Sequence, residues 1–495
     1  MDLDGDACYR AILTRDARFD GRLFIGVKTT GIYCRPVCPA RTPKRANVRF
    51  FPSAAAAQEA GFRPCLRCRP EAAPNLGVWL GTSNTVSRAL ALIETGALDL
   101  DDVEGLGDRL GVGGRQLRRL FQKHVGASPI AVAQTHRVLL AKQLLHETKL
   151  PMTEVALAAG FGSVRRFNET FQKLYRRPPS KLRDAVRLAA NGKDQITILL
   201  RYRPPYDWPA MLGFLRHRAI AGVEAVAGDT YARTVAIGES HGVVAVRPGA
   251  DDALEATVRF PKLSALPAII ARLRRVFDLA ADPQTIGAHL AADPALAPLV
   301  AARPGLRVPG AWDGFELAVR AVLGQQVTVR AAIGIAGRLV AAHGSRLATA
   351  DHEFGLSHIF PAPEQISAID VETLPMPRAR GRALVSLAAS VAAEPAIFGP
   401  RQSLEAAVER LRALPGIGEW TAQYIAMREL REPDAFPPSD IGLLRAMAEG
   451  GRRPSPRELL ARAERWRPWR AYAAQHLWTH DAACVPFRPL SRAAE

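Results

Sequence analysis

The stretch Leu414-Pro415-Gly416-Ile417-Gly418-Glu419-Trp420-Thr421-Ala422 reads as the end of one helix, a tight glycine turn and the start of a second helix. Gly416 and Gly418 let the backbone approach a phosphate, and free N–H groups at the start of the second helix bind that phosphate without reading sequence. Alone, this helix-hairpin-helix indicates a DNA clamp. Downstream, Phe436-Pro437-Pro438-Ser439-Asp440 sets a carboxylate after a rigid Pro-Pro step. Asp440 by itself reads equally well as the cap of a following helix.

The spacing of hairpin and aspartate resembles the HhH-GPD superfamily of base-excision glycosylases. A resemblance to AlkA-type alkyladenine glycosylases covers most of residues 196–482. It runs through Ala311-Trp312-Asp313-Gly314-Phe315-Glu316, Arg320-Ala321-Val322-Leu323-Gly324-Gln325-Gln326, Arg465-Trp466-Arg467-Pro468-Trp469-Arg470 and His476-Leu477-Trp478. Further upstream, Ile196 to Leu200, Ala232 to Ile237 and Gly242 to Val246 are short, β-branched and bounded by turn residues, which predicts antiparallel strands. A helix from Trp208 to Arg218 is expected to pack among them. Pro204-Pro205-Tyr206-Asp207-Trp208-Pro209-Ala210-Met211-Leu212-Gly213-Phe214-Leu215 is similar to the N-terminal α+β part of the same family.

The resemblance implies that Asp440 is the catalytic carboxylate. It also implies Trp420, Tyr424, Trp478 and Phe214 as aromatic walls, with Gln325 and Gln326 at the substrate. A carboxylate near the anomeric carbon stabilises the oxocarbenium character of a breaking N-glycosidic bond or helps activate water. The base must first leave the stack. A cationic alkylated purine is the better leaving group and the better stacker on electron-rich rings. Taken singly, each of these aromatics is more often core than pocket. Two positions depart from the family pattern: Gln326 stands where relatives carry an apolar wedge, and Ile441 where they tend to carry an aromatic. In bifunctional relatives a lysine near the second hairpin helix attacks the sugar; Trp420 occupies that position here, and no lysine follows Lys262. The expected activity is therefore a monofunctional glycosylase of the 3-methyladenine type. With only Cys484 in the C-terminal region, no four-cysteine iron–sulfur cluster is expected, and the Pro-Cys-His-Arg motif of alkylguanine methyltransferases is missing.

Residues 82–187 carry apolar side chains at helical spacing, with Gly or Pro at the breaks. Two helix-turn-helix units can be read. One leads from Val103-Glu104-Gly105-Leu106 into Arg115-Gln116-Leu117-Arg118-Arg119-Leu120-Phe121; the other leads from Met152-Thr153-Glu154-Val155 into Ser163-Val164-Arg165-Arg166-Phe167. These units, with Pro178-Pro179-Ser180-Lys181-Leu182-Arg183 after them, resemble the tandem unit of AraC-type regulators. That resemblance implies Arg115, Gln116, Arg118, Arg165 and Arg166 as base or phosphate contacts in the major groove. A generic helical bundle with solvated arginines is the alternative.

Four of six cysteines fall in two tight pairs, Cys34-x3-Cys38 and Cys65-x2-Cys68. Thiolates at this spacing converge on one tetrahedral Zn²⁺, so one zinc per chain is expected; chance pairs of buried or disulfide cysteines are the alternative. Thr29-Thr30-Gly31-Ile32-Tyr33-Cys34-Arg35-Pro36-Val37-Cys38 and Gly61-Phe62-Arg63-Pro64-Cys65-Leu66-Arg67-Cys68 resemble the zinc domain of the Ada methyltransferase family. That resemblance implies that Cys34, the first ligand, accepts the methyl group of a DNA methylphosphotriester. A purely structural zinc ribbon remains open.

The chain of 495 residues carries 66 Lys+Arg against 48 Asp+Glu, a net charge of +18 that favours the phosphate backbone. Composition and motifs predict a multidomain protein, mostly α with α+β parts. The expected divisions are a small four-cysteine zinc domain (1–75), an all-α tandem helix-turn-helix domain (82–187), an α+β antiparallel-sheet domain (194–290) and an all-α HhH-GPD glycosylase domain (291–490), each with its own core. The acidic start Met1-Asp2-Leu3-Asp4-Gly5-Asp6 and the short apolar runs predict no signal peptide or spanning helix, hence a cytoplasmic protein. Double-stranded DNA, both damaged and promoter, is the expected partner; RNA polymerase is a further candidate, and a monomer is expected. The leading reading is an alkylation-damage response protein. Two readings compete with it: a transcription activator whose glycosylase part only binds DNA nonspecifically, and a zinc-stabilised architectural DNA binder.

Overall fold

The computed structural model describes residues 5–16, 19–73, 84–183, 195–351, 353–374, 376–399 and 403–484. The expected boundaries at 75–82 and 187–194, and residues 1–4, lie outside these.

Near the N-terminus, strands Phe24–Val27, Ile32–Cys34, Val48–Phe51 and Arg63–Pro64 form one sheet in the order third, first, second, fourth. The last pairing is parallel, with Ile32 opposite Arg63 and Tyr33 opposite Pro64, so Cys34 and Cys65 are the next residues on two paired strands. Helix Ala54–Glu59, capped by the Ser53 side chain, closes a core of Phe24, Tyr33, Phe51 and Phe62.

The two helix-turn-helix units follow. Gly114–His124 buries Leu117 and Phe121, and Val164–Tyr175 buries Phe167, Phe171 and Tyr175; spacing of four places these side chains on one face of each helix. Between the units runs helix Pro129–Glu147, capped by Ser128 and buried around most of its circumference.

A five-stranded antiparallel sheet comes next: Ile196–Arg201, Glu224–Ala227, Thr230–Ile237, Ser240–Pro248 and Ala253–Arg259, in the order first, fifth, fourth, third, second. The helix expected to reach Arg218 ends earlier, as Trp208–Arg216. The second helix-turn-helix unit and the sheet region share one core. Side chains from Val138 to Leu182 and from Ile196 to Phe277 form one apolar cluster. The reason lies in the edge strand Ile196–Arg201, whose backbone is paired by helix side chains: Gln143 Nε2 donates to the Leu199 carbonyl at 2.9 Å, and Glu147 Oε2 accepts from the Leu199 N–H at 3.1 Å.

The C-terminal helices, among them Gly314–Leu323, Arg378–Ala393, Leu404–Arg412, Glu419–Arg428 and Arg470–Cys484, enclose a core that includes Phe315, Leu384, Ile425, Phe436, Trp466 and Leu477. This region also holds an antiparallel pair, Arg346–Asp351 with Leu356–His358, where an all-α region was expected. The pair is anchored to the sheet, since Thr234 Oγ1 donates to the His358 carbonyl at 2.8 Å. No helix among the described residues is long and apolar enough to cross a membrane.

Candidate functional site

The hairpin forms as the sequence predicts, between Leu404–Arg412 and Glu419–Arg428. Gly416 has φ +77°, and a Cβ there would stand 2.8 Å from Ala383 Cβ, so this position demands glycine. A Cβ at Gly418, the residue before the second helix, would meet open space, which leaves room for a phosphate. Gln325 Nε2 donates to the Gly416 carbonyl at 2.7 Å and braces the turn.

Asp440 both caps and faces a cavity. Its Oδ1 accepts from the Leu443 N–H at the start of helix Ile441–Ala446, 3.0 Å away. The same oxygen accepts from Trp478 Nε1 at 2.8 Å, and Oδ2 accepts from Trp420 Nε1 at 2.8 Å. Three donors from three helices thus fix the carboxylate, and the two indoles that flank it also wall a cavity of about 870 Å³. Phe214, Tyr424 and Ile441 line it as well. Trp420 and Tyr424 stack with centroids 5.1 Å apart at 10°, and Tyr424 meets Trp478 edge-on at 6.4 Å. Asp440, Trp420, Tyr424, Trp478 and Phe214 are therefore brought together. Gln325 and Gln326 are not among the lining residues; Gln326 is exposed with φ +58°. Ile441, beside the carboxylate, is 54% exposed.

Sequence reasoning missed the arginines that line this cavity, and two of them stand against its aromatic rings. Arg428 and Arg218 both line the cavity, and Arg428 lies on the same helix face as Trp420 and Tyr424, at successive spacings of four. Burial raises the Tyr424 phenol's pKa, but Arg428 and Arg218 outweigh it and hold the group below its ordinary value.

At the other site, the four sulfurs of Cys34, Cys38, Cys65 and Cys68 lie within 4.8 Å of one another, and all four cysteines are free of disulfides. Four sulfurs bound tetrahedrally to zinc at about 2.3 Å stand roughly 3.8 Å apart, so the set fits the ion. Cation-free, these groups cannot all ionise. The hydrogen bond with Cys38, then those with Cys65 and Cys68, push the Cys34 thiol up, while the bond from Cys34 draws Cys38 down to about 7. A dication removes that conflict.

The four ligands are not equivalent. Cys65 and Cys68 are 7% exposed, and their sulfurs accept backbone N–H groups: Arg67 N to Cys65 at 3.3 Å, and Arg35 N to Cys68 at 3.3 Å. Cys34 is half-buried, and among the described residues no backbone N–H donates to its sulfur. Beneath the cluster, Lys142 is 0% exposed; its Nζ donates to the Cys65 carbonyl at 2.9 Å and to Glu71 Oε2 at 2.6 Å. Arg69 joins Glu71 to Glu147, the residue that pairs the edge strand of the large sheet. On the other flank Asp20 takes Arg35 on its carboxylate and Arg203 on its carbonyl.

Arg115, Gln116, Arg118, Arg165 and Arg166 are exposed on the second helices of their units. Arg118 pairs with Glu104 at 3.0 Å, and Arg165 with Glu169 at 2.8 Å.

A hairpin that can hold a phosphate beside a carboxylate in an aromatic slot defines a base-excision glycosylase core, here on one chain with a metal-binding cysteine cluster and a tandem helix-turn-helix. Family profiles match in three places: the "Metal binding domain of Ada" at residues 7–71, a "Helix-turn-helix domain" at 106–185 and the "AlkA N-terminal domain" at 197–313. The chain is 44% identical over 480 residues, 96% of each chain, to the "Probable bifunctional transcriptional activator/DNA repair enzyme AlkA" of Mycobacterium tuberculosis. It is 38% identical over 286 residues, 56% of this chain and 95% of the relative, to "DNA-3-methyladenine glycosylase 2" of Escherichia coli. The 3-methyladenine DNA glycosylase of Archaeoglobus fulgidus shares the fold over 59% of this chain and 99% of its own, with TM-score 0.52 at 21% identity. The chain belongs to the family of bifunctional AlkA transcriptional activator/DNA repair enzymes.

Proposed function

We propose that this protein answers DNA alkylation with two separate chemistries and one regulatory surface, divided as the sequence suggests into parts at 1–75, 82–187, 194–290 and 291–490. The observation that carries the glycosylase reading is the Asp440 carboxylate, held by Trp420, Trp478 and Leu443 inside an aromatic cavity next to the hairpin. The hairpin at Gly416 and Gly418 grips a phosphate and an alkylated purine turns into the cavity. The C1′–N bond then breaks with its electron pair leaving on the base. Asp440 stabilises the positive sugar, and water attacks C1′. The product is an abasic site in an intact strand.

In the cysteine cluster, bound Zn²⁺ keeps the sulfurs as thiolates at neutral pH and holds their geometry. Cys34 Sγ attacks the methyl carbon of a methylphosphotriester; the S–C bond forms as the C–O bond breaks, and the phosphodiester anion leaves. Cys34 and Cys38 are both half-buried, but the Ala40 N–H donates to Cys38 and, among the described residues, no backbone donor quiets Cys34, which makes Cys34 the more nucleophilic. The thioether does not turn over. Losing one negative charge there reduces repulsion from phosphates, so promoter binding through Arg115, Gln116, Arg118, Arg165 and Arg166 tightens. RNA polymerase is the partner that such an activator would recruit.

The purified chain, given methylated duplex DNA, is expected to release alkylated purine and leave no adduct after borohydride. A trapped covalent enzyme–DNA adduct, or base release undiminished in Asp440→Asn, would contradict this mechanism.

A further inference from the structure

Electron-rich rings would favour a cationic base, but in this cavity those rings already hold a cation. The Arg428 guanidinium carbon lies 4.5 Å from the Phe214 centroid, 4.8 Å from Tyr424 and 5.6 Å from Trp478. Arg218 lies 4.0 Å over Phe214. Arg428 is 3% exposed, and among the described residues no carboxylate pairs with it. Nη1 donates to the Pro309 carbonyl at 2.7 Å and Nη2 to Gln475 Oε1 at 3.3 Å, but the buried Nε–H has no acceptor. A buried cation without a carboxylate partner, with one N–H left unpaired, is costly to keep. It repels a second cation brought into the same low-dielectric slot and imposes no such penalty on a neutral ring.

We propose that Arg428 is a specificity-determining residue of the cavity, whose positive charge disfavours positively charged bases at the binding step relative to neutral ones. Excision of cationic alkylpurines then depends on their weak glycosidic bond and not on tight binding. This rests on the glycosylase reading above. The two ends of the selectivity are separable: leaving-group quality sets the rate constant, and Arg428 sets half-saturation.

The test uses the full chain and two duplexes, one with a single 7-methylguanine, cationic as the nucleoside, and one with a single hypoxanthine, neutral with a similar carbonyl edge. Single-turnover rates are measured against enzyme concentration for the wild type, Arg428→Gln and Arg428→Lys. Arg428→Gln is expected to lower the half-saturation concentration for 7-methylguanine relative to hypoxanthine on the order of tenfold, while Arg428→Lys keeps the wild-type ratio within about twofold. As a check independent of any variant, free hypoxanthine should inhibit the wild type at lower concentration than a permanently cationic N-methylated purine. Equal shifts for both duplexes, release of 7-methylguanine with none of hypoxanthine, or stronger inhibition by the cationic base would overturn the proposal. A wild type that releases neither base contradicts the glycosylase reading itself.

Discussion

Cys34, Cys38, Cys65 and Cys68 are supplied by two nearby stretches of chain, aligned by a two-residue parallel pairing. The Asp440 cavity instead draws Phe214, Trp420, Tyr424, Asp440 and Trp478 from more than half the length of the chain. In the first region the chemistry sits in the donor atoms, and the fold need only bring sulfurs together and leave one accessible. In the second, a carboxylate of ordinary type becomes useful only because three helices aim it and aromatic rings shape the space before it. On the proposed function, the site made of ligands would be spent by one reaction, whereas the site made of a cavity would be restored when its product leaves.

The sharpest way to break that contrast is to disable each site alone. Cys34→Ala should abolish methyl acceptance while base release stays within about twofold of wild type. Asp440→Asn should lower base release about 10²–10⁴-fold with methyl acceptance unchanged. Intact mass and released-base chromatography read the two activities, and loss of both from either substitution would mean that the regions do not work separately.

The cysteine cluster is also braced from below by Lys142 of the helix Pro129–Glu147. Replacing Lys142 with Met leaves the buried Glu71 with Arg69 as its one remaining cation, and removing a partner of such a buried pair costs up to about 3–5 kcal/mol. Zinc should then be extracted faster by chelators, with base release from the remaining folded protein little altered. Unchanged extraction would show that Lys142 does not support the cluster.

The smallest expected effect is a pH dependence on the cavity side. His476, 7% exposed on the helix that carries Trp478, is lowered to about 4 by desolvation. Its unfolded form binds a proton first as pH falls below about 6.5, so stability is full above that value and is lost progressively down to about pH 4, by up to about 3 kcal/mol. The stability difference between wild type and His476→Gln should slope across this window; a constant difference would remove the effect from His476.

How much was legible follows from the same contrast. The cysteine pairs and the hairpin glycines are local signals, and the elements they predict are present. Asp440 illustrates a false choice: helix cap and cavity carboxylate were alternatives in the sequence, yet its two oxygens serve both. Gln325 was expected at the substrate but braces Gly416, because its position on the turn after Gly314–Leu323 points it at the hairpin. Arg428 and Lys142 were missed for a common reason. A charge in a helix usually faces solvent, and only tertiary packing reveals that these two are buried against rings and against a carboxylate. Spacing of four from Trp420 through Tyr424 was the one signal that could have placed Arg428 in the cavity.

The central claim is that one chain carries a spent site and a renewable one. A time course with methylated duplex in large excess, following protein-bound methyl and released alkylpurine in the same tube, tests it most directly. Bound methyl should level off at about one per chain while base release continues to many equivalents. Base release that stops at one equivalent, or methyl incorporation that never levels off, would contradict the account.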